Sequence, residues 1–210
     1  MSRRLIEAQE QERTRIAREL HDDIGQRLAL LTIKLEQLQQ NSPDLPAELH
    51  GHMGELRMQT SEIARDVQSM SHELHSSKLE YLGIANAMKA FCHEFSDQQN
   101  VEVVFAHDEV PRTLPQEISL CLFRVLQEAL QNAVKHSGVR HFGVELRYES
   151  DAIDLTVRDS GSGFDVQQAM KSCGLGLISM AERVKLLDGR LSIDSQPNRG
   201  TTIHARVPLS

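Results

Sequence analysis

Apolar residues recur at Ile16, Leu20, Ile24, Leu28, Leu31, Leu35 and Leu38. Steps of three and four place them on one stripe of an α-helix, predicted over residues 3–41. The run Asn41-Ser42-Pro43-Asp44-Leu45-Pro46 breaks that helix. A second helix then carries a heptad of Leu49, Met53, Leu56, Thr60, Ile63, Val67, Met70 and Leu74. Two such helices form a hairpin that leaves half of each stripe uncovered. Pairing with a second hairpin covers it, so the pattern predicts a homodimeric four-helix bundle. An inert coiled-coil spacer has the same heptads. It gains nothing from His21 beside the stripe, or from Gly25, which costs a helix about 1 kcal/mol relative to Ala.

The heptad is lost over residues 71–78, which places a domain boundary near Ser76, with domains 1–76 and 77–210. The pattern then alternates in type. Helices are predicted over 82–95, from Pro115 to His136, and over 175–187, where Asp188-Gly189 stops the last one. Strands are predicted over 101–105, 144–148, 153–158, 191–193 and 201–207. The interval from Ser162 to Cys173 reads as a loop that covers a site as a lid. Helices between paired strands imply an α/β sandwich, a mostly antiparallel sheet with helices on one face. The whole chain is therefore α+β.

Composition narrows the function. The net charge of −7 argues against sequence-independent nucleic-acid binding, which needs a basic surface, although scattered Arg and Lys are able to meet phosphates locally. Trp is absent and aromatics are 4%, so the cores are aliphatic. The three cysteines, Cys92, Cys121 and Cys173, are odd in number and widely spaced. They indicate neither a disulfide framework nor a zinc site, and a reducing cytosol suits them. No apolar run is long enough to span a membrane, so the chain itself is expected to make no membrane contact. It is expected in the cytoplasm, alone or as the cytoplasmic part of a membrane-bound sensor.

Two constellations carry chemistry. In Glu19-Leu20-His21-Asp22-Asp23-Ile24-Gly25-Gln26 an imidazole is followed at once by a carboxylate, and Gln26 lies one turn after Asp22. An imidazole attacks a phosphoryl group when a neighbouring base takes its proton, and the amide is able to position a water. A solvated helix surface has the same residues. In the second domain, Glu128, Asn132 and His136 share one helical face at i, i+4 and i+8, with Lys135 beside them. Their oxygens suit an Mg²⁺–phosphate site, although a solvated polar face also fits. Asp159-Ser160-Gly161-Ser162-Gly163 ends a strand in a carboxylate able to accept from an exocyclic amine such as that of adenine, or forms a plain turn. Gly174-Leu175-Gly176-Leu177 opens a helix, whose N-terminus attracts phosphate. No P-loop sequence occurs.

Glu128-x-x-x-Asn132-Ala133-x-Lys135-His136, Asp159-x-Gly161-x-Gly163, Gly174-x-Gly176-Leu177 and Gly200-Thr201, in this order, resemble the nucleotide motifs of the GHKL (Bergerat) ATPase superfamily. The run from Glu12 to Gln26 resembles the phosphoacceptor helix of the nitrate/nitrite-sensor and thermosensor class of two-component histidine kinases. The resemblance implies a sensor histidine kinase core that uses ATP and Mg²⁺. It implies that His21 accepts the γ-phosphoryl group, that Asp22 takes its proton, and that Gln26 orients a water for dephosphorylating a partner. Asn132 is the implied Mg²⁺ ligand, and Glu128 orders water around the metal. Lys135 and His136 are implied phosphate contacts, Asp159 and Thr201 adenine contacts. Gly161 and Gly163 shape the pocket; Gly174 and Gly176 border the phosphates. Implied partners are a second copy of the chain and the receiver domain of a response regulator. The other function considered is a dimeric nucleotide-binding scaffold without kinase activity. One departure lies in the linker, where Ser76 to Gly83 lacks the Pro that members often carry.

Overall fold

The computed structural model describes residues 3–41, 46–74, 77–111, 113–171 and 175–209. The boundary expected near Ser76, most of the turn at residues 41–46, and both Cys173 and Gly174 lie outside them. The chain forms two compact units, the division falling between residues 77 and 78.

The first unit is helical. Helix α1 spans Arg3–Glu19 and α2 spans Gln26–Asn41. Between them Leu20–Gly25 form one π-helical segment, so the expected single α-helix carries an insertion at the imidazole. Helix α3, Ala47–Leu74, packs back along them. Its heptad divides cleanly. Thr60 is buried, with Met53 and Val67 half-buried, while Leu49, Leu56, Ile63 and Met70 are 48–55% exposed. The same split occurs on the facing arm of the helical hairpin, where Leu28 and Leu35 are half-buried and Ile24, Leu31 and Leu38 are exposed. One seven-residue series therefore closes the hairpin and a second is left over on its outside. Across the hairpin, the buried Ser71 hydroxyl donates to the Ala17 carbonyl at 2.8 Å.

The second unit begins with α4, Ser77–Leu82, and α5, Ile84–Gln99. Strand β1, Glu102–Asp108, leads into α6, Gln116–His136. Then follow β2, His141–Glu149; β3, Ala152–Asp159; α7, Val166–Lys171; α8, Leu175–Lys185; β4, Arg190–Ser195; and β5, Thr201–Pro208. The five strands lie in the order β1-β2-β3-β5-β4. Only β1 and β2 run parallel, since α6 serves as their crossover; the other pairs are antiparallel.

Side chains alternate across the sheet. Val144, Leu146, Leu155, Val157, Ile203 and Ala205 face a core completed by α5, α6 and α8. Leu122, Leu126 and Leu130 form the fully buried spine of α6, each side chain stabilising the fold by about 1.5–3 kcal/mol. The opposite sheet face is polar. There Asp154 accepts from Arg206 at 2.8 Å and pairs with His204 at 2.9 Å. The interval expected as loop differs from expectation. Asp165 Oδ1 accepts from the Gln168 N–H at 3.0 Å and starts α7 within it.

Candidate functional site

His21 lies in the π-helical segment with its side chain 61% exposed. Its Nδ1 is 2.9 Å from Asp22 Oδ1. An ionised carboxylate only accepts, so Nδ1 carries the proton and the Nε2 lone pair is left free. The segment also changes which residues are neighbours. A π-turn closes over five residues rather than four, so Gln26 stands one turn beyond His21 itself. In an unbroken α-helix Gln26 would be about 140° away from His21, at 100° per residue. The preceding turn is held by Arg15, which binds Glu12 in a two-pronged pair at 2.6 and 2.9 Å and also contacts Glu19. The hydrogen bond from Arg15 holds the Glu12 carboxyl below its usual range. Gly25 is half-buried, and a Cβ there would sit 3.4 Å from the Leu20 carbonyl, in ordinary contact.

In the second unit, two segments converge at the C-terminal end of α6: the loop after β3 and, through it, the β4–β5 turn. The Ser162 N–H donates to the Ser137 carbonyl at 2.8 Å, and the Ser162 hydroxyl to the His136 carbonyl at 2.9 Å. These bonds pin the loop after β3 against the helix. The backbone N–H of Asn198 donates to the Ser162 carbonyl, which brings in the β4–β5 turn. That turn passes so close that a Cβ on Gly200, φ +74°, would lie 2.2 Å from the Asp159 carbonyl. Only glycine fits both the angle and the space.

The cleft between them has a volume of about 470 Å³. Asn132, His136, Asp159, Gly163, Gly176 and Thr201 all line it. Asp159 and Thr201 are direct cross-strand neighbours, and Asp159 Oδ1 accepts from the Gly161 N–H at 2.8 Å. Asp159 is half-buried. Glu128 sits beneath the wall: its Oε1 accepts from Asn132 Nδ2 at 3.2 Å and occupies the place of a side chain at Gly176. With Nδ2 engaged, Asn132 presents its amide oxygen, the atom type Mg²⁺ prefers. Among the described residues, no group of three or more His, Cys, Asp or Glu forms a metal cluster. Lys135 is exposed and does not line the cavity.

Sequence reasoning did not mark Ser137, Phe164, Ala169 or Ile203, which also line the cavity, whereas Leu177, the last residue of the Gly174-x-Gly176-Leu177 motif, lines it as well. Ala129 and Ala133 had a signal, since Ala129 lies one turn before Asn132 on the same side of α6 and Ala133 follows Asn132 within the quoted motif. Phe164 and Ala169 had none, because they arrive through the folding of the loop.

Two family models match the chain. The model described as "Histidine kinase" matches residues 12–79, and that of the "Histidine kinase-, DNA gyrase B-, and HSP90-like ATPase" matches residues 117–210. A relative from Staphylococcus carnosus, the oxygen sensor histidine kinase NreB, is 36% identical over all of this chain and 60% of its own length. The signal transduction histidine-protein kinase/phosphatase DegS of Brevibacillus brevis is 31% identical over 98% of this chain and 53% of its own. The chain thus spans little more than half the length of these curated relatives. Among solved structures, the histidine kinase domain of a blue-light activated histidine kinase from Erythrobacter litoralis shares the fold. The TM-score is 0.55 at 18% identity, covering 88% of this chain and 94% of that one.

Proposed function

The chain belongs to the sensor histidine kinases, and from that premise we propose that it phosphorylates itself on His21 from ATP and passes the phosphoryl group to an Asp of a response regulator. The observation that carries this reading is the exposed imidazole with Nδ1 held by Asp22 and Nε2 free. Nε2 attacks the γ-phosphorus of ATP, an N–P bond forms, and the bond to the β-phosphate oxygen breaks with ADP as leaving group. Phosphorylation at Nε2 would make the ring cationic. The Asp22 carboxylate stabilises that charge and takes the Nδ1 proton.

The cavity is the proposed nucleotide site. Asp159 accepts from the exocyclic amine of adenine, and Thr201 lies beside it. Asn132 would hold Mg²⁺, with Glu128 fixing the orientation of its amide; His136, and Lys135 from outside the cavity, would contact phosphates. Gly161 and Gly163 shape the pocket by letting the loop after β3 pass close to Ser137, Gln196 and Gly200, and Gly174 and Gly176 border the phosphates. Mg²⁺ held there would supply charge neutralisation to the phosphates, whose transfer passes through a loose transition state governed mainly by positioning and charge. ATP as phosphoryl donor places the reaction in the cytoplasm.

Two chains pair through the outer seam of Ile24, Leu31, Leu38, Leu49, Leu56, Ile63 and Met70. A single hairpin leaves these residues in water, and a second copy has the same complementary seam. Gln26, one turn beyond His21, positions water for removing phosphate from the regulator. Incubation with γ-labelled ATP should give a phosphoprotein that is acid-labile and base-stable, with the label mapped to His21 by mass spectrometry. Full labelling of His21→Ala would overturn the assignment; binding of ATP without label transfer would leave a nucleotide-binding scaffold.

A further inference from the structure

Ser195 belongs to none of the motifs above, yet its hydroxyl ties two residues of the cavity wall, Phe164 and Thr201, to the Gly200 carbonyl of the β4–β5 turn. It is the last residue of β4 and pairs across the sheet with Thr201, which pairs in turn with Asp159. The three therefore stand in a row on the helix side of the sheet, at the cavity end. Ser195 Oγ accepts from the Phe164 N–H at 2.9 Å. It also lies 3.0 Å from the Gly200 carbonyl and 3.0 Å from Thr201 Oγ1.

Proton counting fixes the direction of this network. A hydroxyl has one proton and two lone pairs. The Gly200 carbonyl only accepts, so the Ser195 proton goes there. The Ser195 lone pairs then receive the Phe164 N–H and the Thr201 O–H. Thr201 has spent its proton away from the cavity and turns only lone pairs toward it. Asp159, with one oxygen already receiving the Gly161 N–H, offers a second acceptor beside it. A base meeting this wall satisfies both acceptors with the two hydrogens of an amino group. A keto oxygen in the same place meets acceptor against acceptor.

We propose that Ser195 is a positioning residue that sets the polarity of the Thr201 hydroxyl and thereby makes the cavity select 6-amino over 6-keto purine nucleotides. This inference rests on the proposed ATP site and adds the group that determines its base preference.

The test is calorimetric titration of the full chain with ATP and with ITP, which differ at the 6-position and in the N1 hydrogen that accompanies it. The parent should favour ATP. Ser195→Ala frees the Thr201 hydroxyl to rotate, so the ATP-to-ITP affinity ratio should fall about 2- to 12-fold, the worth of one hydrogen bond. Ser195→Thr, which keeps the hydroxyl, should hold the ratio near that of the parent. Thr201→Val should lower the ratio, and adding Ser195→Ala to it should lower it no further. Thermal melts identify any variant that fails to fold, and the Ser195→Thr and Thr201→Val arms then decide. An unchanged ratio in Ser195→Ala, or additive losses in the double variant, overturns the inference while leaving ATP binding intact. A parent that binds no ATP overturns the nucleotide site itself, and this inference with it.

Discussion

Replacing Gly176 by Ala should separate stability from binding. Gly176 lies in the first turn of α8, and an ideal Cβ there would be 1.9 Å from Glu128 Oε1 and 2.8 Å from its Cδ. Carbon–oxygen contacts settle at about 3.3 Å or more, so the carboxylate must retreat by more than ~1 Å. Its hydrogen bond from Asn132 Nδ2 is already 3.2 Å long and does not survive that move. Losing it costs about 0.5–1.5 kcal/mol, and Asn132 is freed to turn its amide. Ala in a helix meanwhile returns up to ~1 kcal/mol over Gly. The fold should therefore melt within a few degrees of the parent. Affinity for ATP with Mg²⁺ should drop about 2- to 12-fold, and affinity in EDTA by less. Titration calorimetry under the two conditions, beside a thermal melt, reads both effects. Gly143→Ala is the control, because nothing lies within 4 Å of a Cβ there. Unimpaired Mg²⁺-dependent affinity in Gly176→Ala would refute the role given to the Glu128–Asn132 pair.

Gln26→Ala should keep autophosphorylation from ATP while slowing the loss of phosphate from a phosphorylated receiver domain, both followed by gel autoradiography; equal loss of both would contradict the assignment. Ile63→Glu puts a charge on the half-exposed seam of α3 and should shift the chain toward monomer in sedimentation without unfolding the hairpin. Burial pushes the Cys92 and Cys121 thiols up to about 12 from a usual 9.0. The folded form thus holds protons that the unfolded form releases, so stability is intact below pH 9 and falls between pH 9 and 12. The loss approaches ~1.4 kcal/mol per pH unit per thiol; urea midpoints that stay flat across this range would show the thiols to be accessible.

The heptads, the Glu128–Asn132–His136 face and the Asp159 strand end were legible because local spacing determines them. The parallel pairing of β1 and β2 was implicit in a strand–helix–strand order, since strands joined by a helix such as α6 run in one direction. The π-helical segment left a subtler trace. The steps Ile16, Leu20, Ile24 and Leu28 are three fours in succession, where an α-helix repeats every 3.6 residues. Three such steps overshoot by about one residue, the excess that a π-turn absorbs. The roles of Ser195, Ser137 and Phe164 were not legible. They depend on contacts between segments 25 or more residues apart in some cases, as with Ser162 on His136, and no local pattern encodes them.

The widened turn at His21 has a consequence for any rod engineered to lead into this hairpin. A seven-residue count begun in α1 and carried into α2 arrives one position late, so the two stretches face different compass points of the bundle. Chimaeras that graft a foreign helical stalk ahead of Glu19 must therefore be phased to α1, not extrapolated backwards from the seam of Ile24, Leu31 and Leu38. A stalk phased to the wrong side would twist the imidazole away from the amide one turn beyond it.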